Sequence, residues 1–181
     1  MKHLRDYINE SLQYINEDSA SIKNFILQNY FGVNENEIII KGKKVYITGN
    51  LYASQKLKSL NNNGAFQIEE VGGDFQICDN YNITTLEGCP KIVKGNCLIE
   101  HCTLIDSLKG CPEEVGYQFT VDALTSLFNL DYLPKTVGSA RFYLLKYNKD
   151  NELQHYDKNE ILKKCNVRGT LLLRHKLYFN L

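Results

Sequence analysis

The sequence predicts a mostly β solenoid of about 22-residue rungs, with an N-terminal helical cap and a short helical insertion near the C-terminal end. Three observations carry this. Val71, Val93, Val115 and Val137 recur every 22 residues, and each opens a Gly-containing segment: "VGGDFQICDN", "VKGNCLIEHC", "VGYQFTVDAL" and "VGSARFYLLKYN". Within the first of these, Phe75 and Ile77 alternate with Asp74, Gln76 and Cys78, the period-two pattern of a strand with one buried face. Gly88-Cys89-Pro90 returns as Gly110-Cys111-Pro112 at the same interval. A unit this small cannot bury its own apolar face, so it has to stack on its neighbours.

The elements follow in order. Leu4, Ile8, Leu12 and Ile15 fall at helical spacing. A second helix is capped by Asp18 or Ser19, carries Ile22, Phe25, Ile26 and Tyr30 on its inner face, and ends at Gly32. Residues 1–36 are expected to form the cap, and residues 37–181 the repeat solenoid. "EIIIKGKKVYI" reads as a hairpin turning at Lys41-Gly42. Rungs start near 47, 71, 93, 115, 137 and 167, the outermost two being the degenerate copies "ITGNLYAS" and "VRGTLLLRH". Leu86 points back into the core from the far side of its rung. Gly88 and Pro90 then turn the chain. The insertion spans 149–166; within it, "DKNEILKKC" predicts a short helix laid against the sheet, with Ile161, Leu162 and Cys165 on one face. Two irregularities are expected. "LTSL" at 124–127 comes three residues early, and the fourth rung bulges by two residues between Val137 and Tyr143.

"FQICDNYNI" and "CLIEHCTL" resemble the leucine-rich-repeat pattern L-x-L-x-x-N/C-x-x-L or its one-shorter form. Asn80, Cys102 and, in "YLLKYN", Asn148 stand at its N/C position. "LEGCPKIVKGN" and "LKGCPEEVG" are similar to repeats of tailed-phage proteins that iterate "LTSLEGCPKEVGGDF". The opening "MKHLRDYINESL" resembles a leader found on proteins of the same phages. The resemblance covers residues 38–145 and the leader. It implies a leucine-rich-repeat-like, strand-lined curved solenoid and brings no catalytic residues with it.

Composition narrows the function classes. The chain has 181 residues, enough for one core, and no apolar run approaches the roughly 20 residues of a membrane span. The polar start has no apolar h-region, so no secretory signal is expected. Six Cys then read as reduced thiols in a cytoplasm, that of the infected bacterial host if the resemblance holds. No converging pair of C-x-x-C or Cys/His elements suggests a metal, and no cofactor is expected. His3, His101, His155 and His175 are scattered. "VGGDF" leads into a strand rather than a helix, so it is not a dinucleotide fingerprint. Cys89 and Cys111 are expected to stack one strand spacing apart as buried apolar residues. Cys78 faces outward by alternation and is the one candidate reactive thiol.

The zero net charge hides an asymmetry. Residues 69–131 contain eleven acidic and three basic residues, whereas residues 141–181 contain nine basic and four acidic. A bipolar surface favours oriented docking. The outward ladder on successive strands is read as Tyr52, Gln76, Leu98, Thr120 and Leu172, with a second column of Ser54, Cys78, Glu100, Asp122 and Arg174. A mixed apolar and acidic strip of this kind suits protein recognition. The basic C-terminal part, with Arg141, Lys146, Lys149, Arg168, Arg174 and Lys176 among Phe142, Tyr143, Tyr147 and Tyr178, offers only local contact to nucleic acid, since the acidic middle repels a long backbone. The expectation is a non-enzymatic protein-binding module that inhibits or modulates a bacterial host defence protein. The alternatives are a virion structural or assembly protein docked through its N-terminal helix, and a thiol-dependent enzyme.

Overall fold

The computed structural model of the chain describes residues 18–127, 130–144 and 158–175. The expected first helix, His3, His155, Asn148, Lys146, Lys149, Lys176, Tyr147, Tyr178 and residues 149–157 of the insertion lie outside them.

The rungs stack as a β solenoid. Each contributes two strand segments that meet at a corner, and a third, loop side closes the core. The first strand column runs through β3 (Lys44–Ile47), β5 (Gln67–Val71), β7 (Ile92–Val93), the starts of β9 (Glu114–Asp122) and β10 (Thr136–Leu144), and β11 (Asn166–Val167). Its parallel register is Ile47↔Val71↔Val93↔Val115↔Val137↔Val167, the six predicted rung starts. The second column runs through β4 (Leu51–Ala53), β6 (Phe75–Cys78), β8 (Cys97–Glu100), the ends of β9 and β10, and β12 (Leu171–His175). Val71, Val93, Val115, Phe75, Ile77, Ile99, Phe119, Val121 and Phe142 are all buried between the columns and the loop side. Leu86, Leu108 and Leu130 close the core from the loops. The Phe119 and Phe142 rings meet edge to face at 6.0 Å.

The corner explains the glycine in every rung. A Cβ on Gly116 would stand 1.9 Å from the Lys94 carbonyl oxygen, and one on Gly138 would stand 2.3 Å from that of Tyr117. Backbone there lies directly on backbone, and no side chain fits. Next to the glycines a polar ladder climbs the corner. Asn50 Oδ1 accepts from the Asp74 N–H at 2.8 Å, Asp74 Oδ1 from the Asn96 N–H at 2.7 Å, and Asn96 Oδ1 from the Gln118 N–H at 3.2 Å. Each rung thus satisfies the backbone donor of the next where the strand ladder is interrupted.

Leaving the second column, the chain turns at Asp79, His101 and Ala123, all at φ of 50–52° and 22 residues apart. The N/C position follows. The fully buried Asn80 donates through Nδ2 to the Ser54 and Leu57 carbonyls, and its Oδ1 accepts from the Asn82 and Ile83 N–H groups. Cys102 takes this place one rung on, its Sγ 3.3 Å from the Glu100 carbonyl oxygen. Leu124 takes it in rung three and is buried without a polar role.

Rung three is nevertheless regular, which corrects the expectation of an early "LTSL". Leu127 and Leu130 hold the places of Ile105 and Leu108, and the Leu127 N–H bonds to the Leu124 carbonyl as Ile105 does to Cys102. Tyr132, at φ 63°, stands where Gly88 and Gly110 stand. Rung four has no two-residue bulge. Its corner is one residue shorter, so that Val137↔Val115 is followed by Ser139↔Gln118.

Antiparallel strands and a helix cap the N-terminal end. Helix α1 covers 18–29 within the described residues, with Ile22 and Ile26 buried and the Phe25 ring 5.5 Å from that of Phe66. Tyr30, predicted on the inner face of this helix, instead lies just past its end. It begins β1 (Tyr30–Phe31), which pairs antiparallel with β4, and its hydroxyl donates to the Leu60 carbonyl. β2 (Ile38–Lys41) pairs antiparallel with β3 across the turn at Gly42, the predicted hairpin. At the other end, α2 (Lys158–Lys164) leads directly into β11 and lies beside the rung-three loop at Asp131. Ile161 and Cys165 are buried, but Leu162 is half exposed, because the helix is short and only one side meets the core. Lys164 pairs with Asp131.

Candidate functional site: the outer strand face

Side chains alternate across a strand, so the buried Phe75 and Ile77 force Gln76 and Cys78 outward. The parallel register then aligns Tyr52↔Gln76↔Leu98↔Thr120↔Arg141↔Leu172 into one column, which the antiparallel pair Phe31↔Tyr52 extends at the cap end. Cys78↔Glu100↔Asp122↔Tyr143↔Arg174 forms the second, with Ser54 beside Ala53 at its start. The structure therefore brings together every residue of the sequence-derived ladder. It adds three that the repeat alignment missed. Phe31 enters through the antiparallel cap strand, which has no repeat signature. Arg141 and Tyr143 enter because the shortened corner of rung four restores their register.

Two members are less open than expected. Thr120 and Asp122 point outward yet are only 7% exposed. Gln118 folds over the first, its Nε2 donating to Thr120 Oγ1 at 2.8 Å.

The face changes character along its length. Aromatic rings lie at the cap end, where Phe31 and Tyr52 meet edge to face at 6.3 Å. Glu100 and Asp122 occupy the middle, with Asp79 at the margin and its carboxylate 3.2 Å from His101 Nδ1. Arg141 and Arg174 end it, both exposed. The acidic strip and the basic C-terminal residues are thus one surface rather than two regions.

On the loop side and along the first column, several acidic residues are tied to a neighbouring rung. Glu69 bridges Lys44 and Lys91, Glu87 meets Lys109, and Glu113 meets Lys135. Hydrogen bonding by Lys91 and by Lys135 holds the Glu69 and Glu113 carboxyls below their ordinary range. Arg168 is partly engaged, donating to the Gly116 carbonyl at 3.0 Å.

The chain matches no protein-family model, no curated protein and no solved structure.

The thiols are structural in their surroundings. Cys89, Cys97, Cys102 and Cys165 are buried, and Cys111 donates from Sγ to the Tyr132 carbonyl at 2.9 Å. Burial pushes Cys89 and Cys97 well above the ordinary thiol value, Cys102 and Cys165 to about 11, and Cys111 to about 12. Cys78, the outward thiol, is also raised to about 11, by desolvation first and then by the charge of Glu100. The thiolate is the nucleophile, and this environment disfavours it. Among the described residues no three His, Cys, Asp or Glu side chains converge as metal ligands, and no helix is long and apolar enough to cross a membrane.

Proposed function

We propose that the chain is a non-enzymatic protein-binding module of phage origin, which works in the cytoplasm of the infected bacterium by binding and inhibiting a host defence protein through the outer strand face. The observation that carries this reading is the continuous ladder itself. Seven strands present an aromatic end, an acidic middle and a basic end in fixed register on a rigid stack. Rigid aromatic and arginine anchors with a charged surround are what protein interfaces favour, and the charge gradient fixes the orientation of docking. The raised thiols argue against a thiol-dependent enzyme built on Cys78.

The test is affinity capture from host lysate with the tagged chain, beside Leu98→Arg at the centre of the face. The reading expects one stoichiometric host protein, lost with Leu98→Arg. Recovery of phage structural proteins alone would move the chain to a virion assembly role, and capture unaffected by Leu98→Arg would remove the outer face from the account.

A further inference from the structure

At the cap end the outer face sinks into a groove of about 380 Å³, whose walls include Phe31, Tyr52, Gln76, Cys78 and Asp79. We propose that this groove receives a cationic side chain, an arginine supplied by a basic segment of the protein partner. The inference rests on the protein-binding reading and names the chemistry of that partner.

Three features point to a cation. Phe31 is 55% exposed, an aromatic ring left open to solvent at the groove wall, and the Tyr52 ring stands at 60° to it. Two rings set at an angle offer both a stacking face and a flank to a guanidinium, which is weakly hydrated and binds aromatic faces and carboxylates together. The Asp79 carboxylate lines the same groove. Glu100 stands one strand beyond Cys78, about 4.8 Å away along the stacking direction. The Cys78 thiol between them has its pKa raised, first by desolvation and then by the charges of Glu100 and Asp79.

Two groups oppose it. Lys56 also lines the groove, exposed, and His101 contacts Asp79 from the neighbouring rung. Their positions supply a test of sign: removing Lys56 strengthens binding of a cation, whereas removing Asp79 weakens it. An anionic occupant would show the reverse. A purely apolar occupant would take water from the half-exposed Asp79 carboxylate and offer no polar group in exchange, which is costly.

The experiment is a two-dimensional amide NMR titration of the full chain with acetyl-Gly-Arg-Gly-amide, against the same peptide carrying the neutral isostere citrulline. The expected result is shifts centred on Phe31, Tyr52, Gln76, Cys78 and Asp79, with the citrulline peptide about fivefold weaker. Asp79→Asn should weaken the arginine peptide about threefold, and Lys56→Ala should tighten it about twofold. The unperturbed remainder of each amide spectrum reports that the variants are folded. Equal binding of the citrulline peptide, shifts centred elsewhere, or no shift at about 20 mM peptide would overturn the proposal. The two readings fail separately. If the arginine peptide does not bind but Leu98→Arg still abolishes capture of the host protein, the cation site falls and the protein-binding face stands.

Discussion

Asn80→Ala is expected to be among the most destabilising single changes in the solenoid. Asn80 lies in rung two with no exposed surface, and its amide joins that rung to the one before. Truncation leaves three backbone groups without a partner, the Leu57 carbonyl and the Asn82 and Ile83 N–H groups, while the Ser54 carbonyl keeps its bond from the Leu57 N–H. The Leu57 and Ile83 interactions are fully buried, so those two groups cannot turn to water. Each buried unsatisfied group costs about 1–3 kcal/mol, and the part-buried Asn82 N–H recovers some of its loss by hydration. The sum is about 3 kcal/mol, a large share of the 5–15 kcal/mol typical of a domain. For a chain of this size that lowers Tm by about 6–12 °C. Urea unfolding followed by circular dichroism measures it, with Cys102→Ala as the internal comparison. Cys102 holds the same place with only weak sulfur contacts to the Glu100 and Ile77 carbonyls, and its truncation should cost about half as much. An Asn80→Ala loss below about 1 kcal/mol, or a larger loss from Cys102→Ala, would refute the view that this amide binds successive rungs together.

The remaining predictions concern the corner, the thiols, the ion pairs and the face. Gly116→Ala should destabilise by about 2–4 kcal/mol because its Cβ meets the Lys94 carbonyl, whereas Gly42→Ala, strained by φ alone in open space, should cost about 1 kcal/mol; similar losses in thermal melts would contradict the corner packing. Cys78, with its pKa raised to about 11, should be thiolate in only about one molecule in a thousand at pH 8, so rapid iodoacetamide labelling there by mass spectrometry would contradict its assigned environment. Glu69 and Glu113 have lowered folded pKa values, so their contribution is complete above about pH 4.3 and is lost as pH falls through those values. The double variant Glu69→Gln, Glu113→Gln should flatten the acid limb of the urea midpoint, and an unchanged limb would speak against the inter-rung pairs. Leu98→Arg should leave the unfolding free energy within about 1 kcal/mol of wild type, since the side chain points away from the core; a larger loss would mean that the face is part of the fold.

The stack was readable because its constraints are periodic. One valine per 22 residues, a glycine where backbones touch and a buried leucine on the loop side each leave a mark in the sequence. The register of the outer ladder follows from strand alternation, which by itself aligns Tyr52, Gln76, Leu98, Thr120 and Leu172. Where the chain breaks the period, that mark is lost. The one-residue deletion between Val137 and Ala140 hid Arg141 and Tyr143 from the ladder, and the pairing of Phe31 with Tyr52 depends on an antiparallel cap strand of two residues. Leu124 at the N/C position suggested a shifted rung because a polar marker had been replaced, although the spacing was intact. The corner ladder of Asn50, Asp74, Asn96 and Gln118 had a signal, a polar residue just before each second-column strand, but its role depends on which backbone donor the corner leaves unpaired. The covering of Thr120 by Gln118 depends on rotamers and had no signal at all.

The central claim is that the outer strand face meets the partner. Hydroxyl-radical footprinting of the chain, alone and bound to the host protein it captures, tests it most directly. The account predicts that Tyr52, Leu98 and Tyr143 lose oxidation in the complex, while Tyr132 and Leu162 on the loop side are labelled as before. Protection of Tyr132 and Leu162 with Tyr52, Leu98 and Tyr143 unchanged would contradict it.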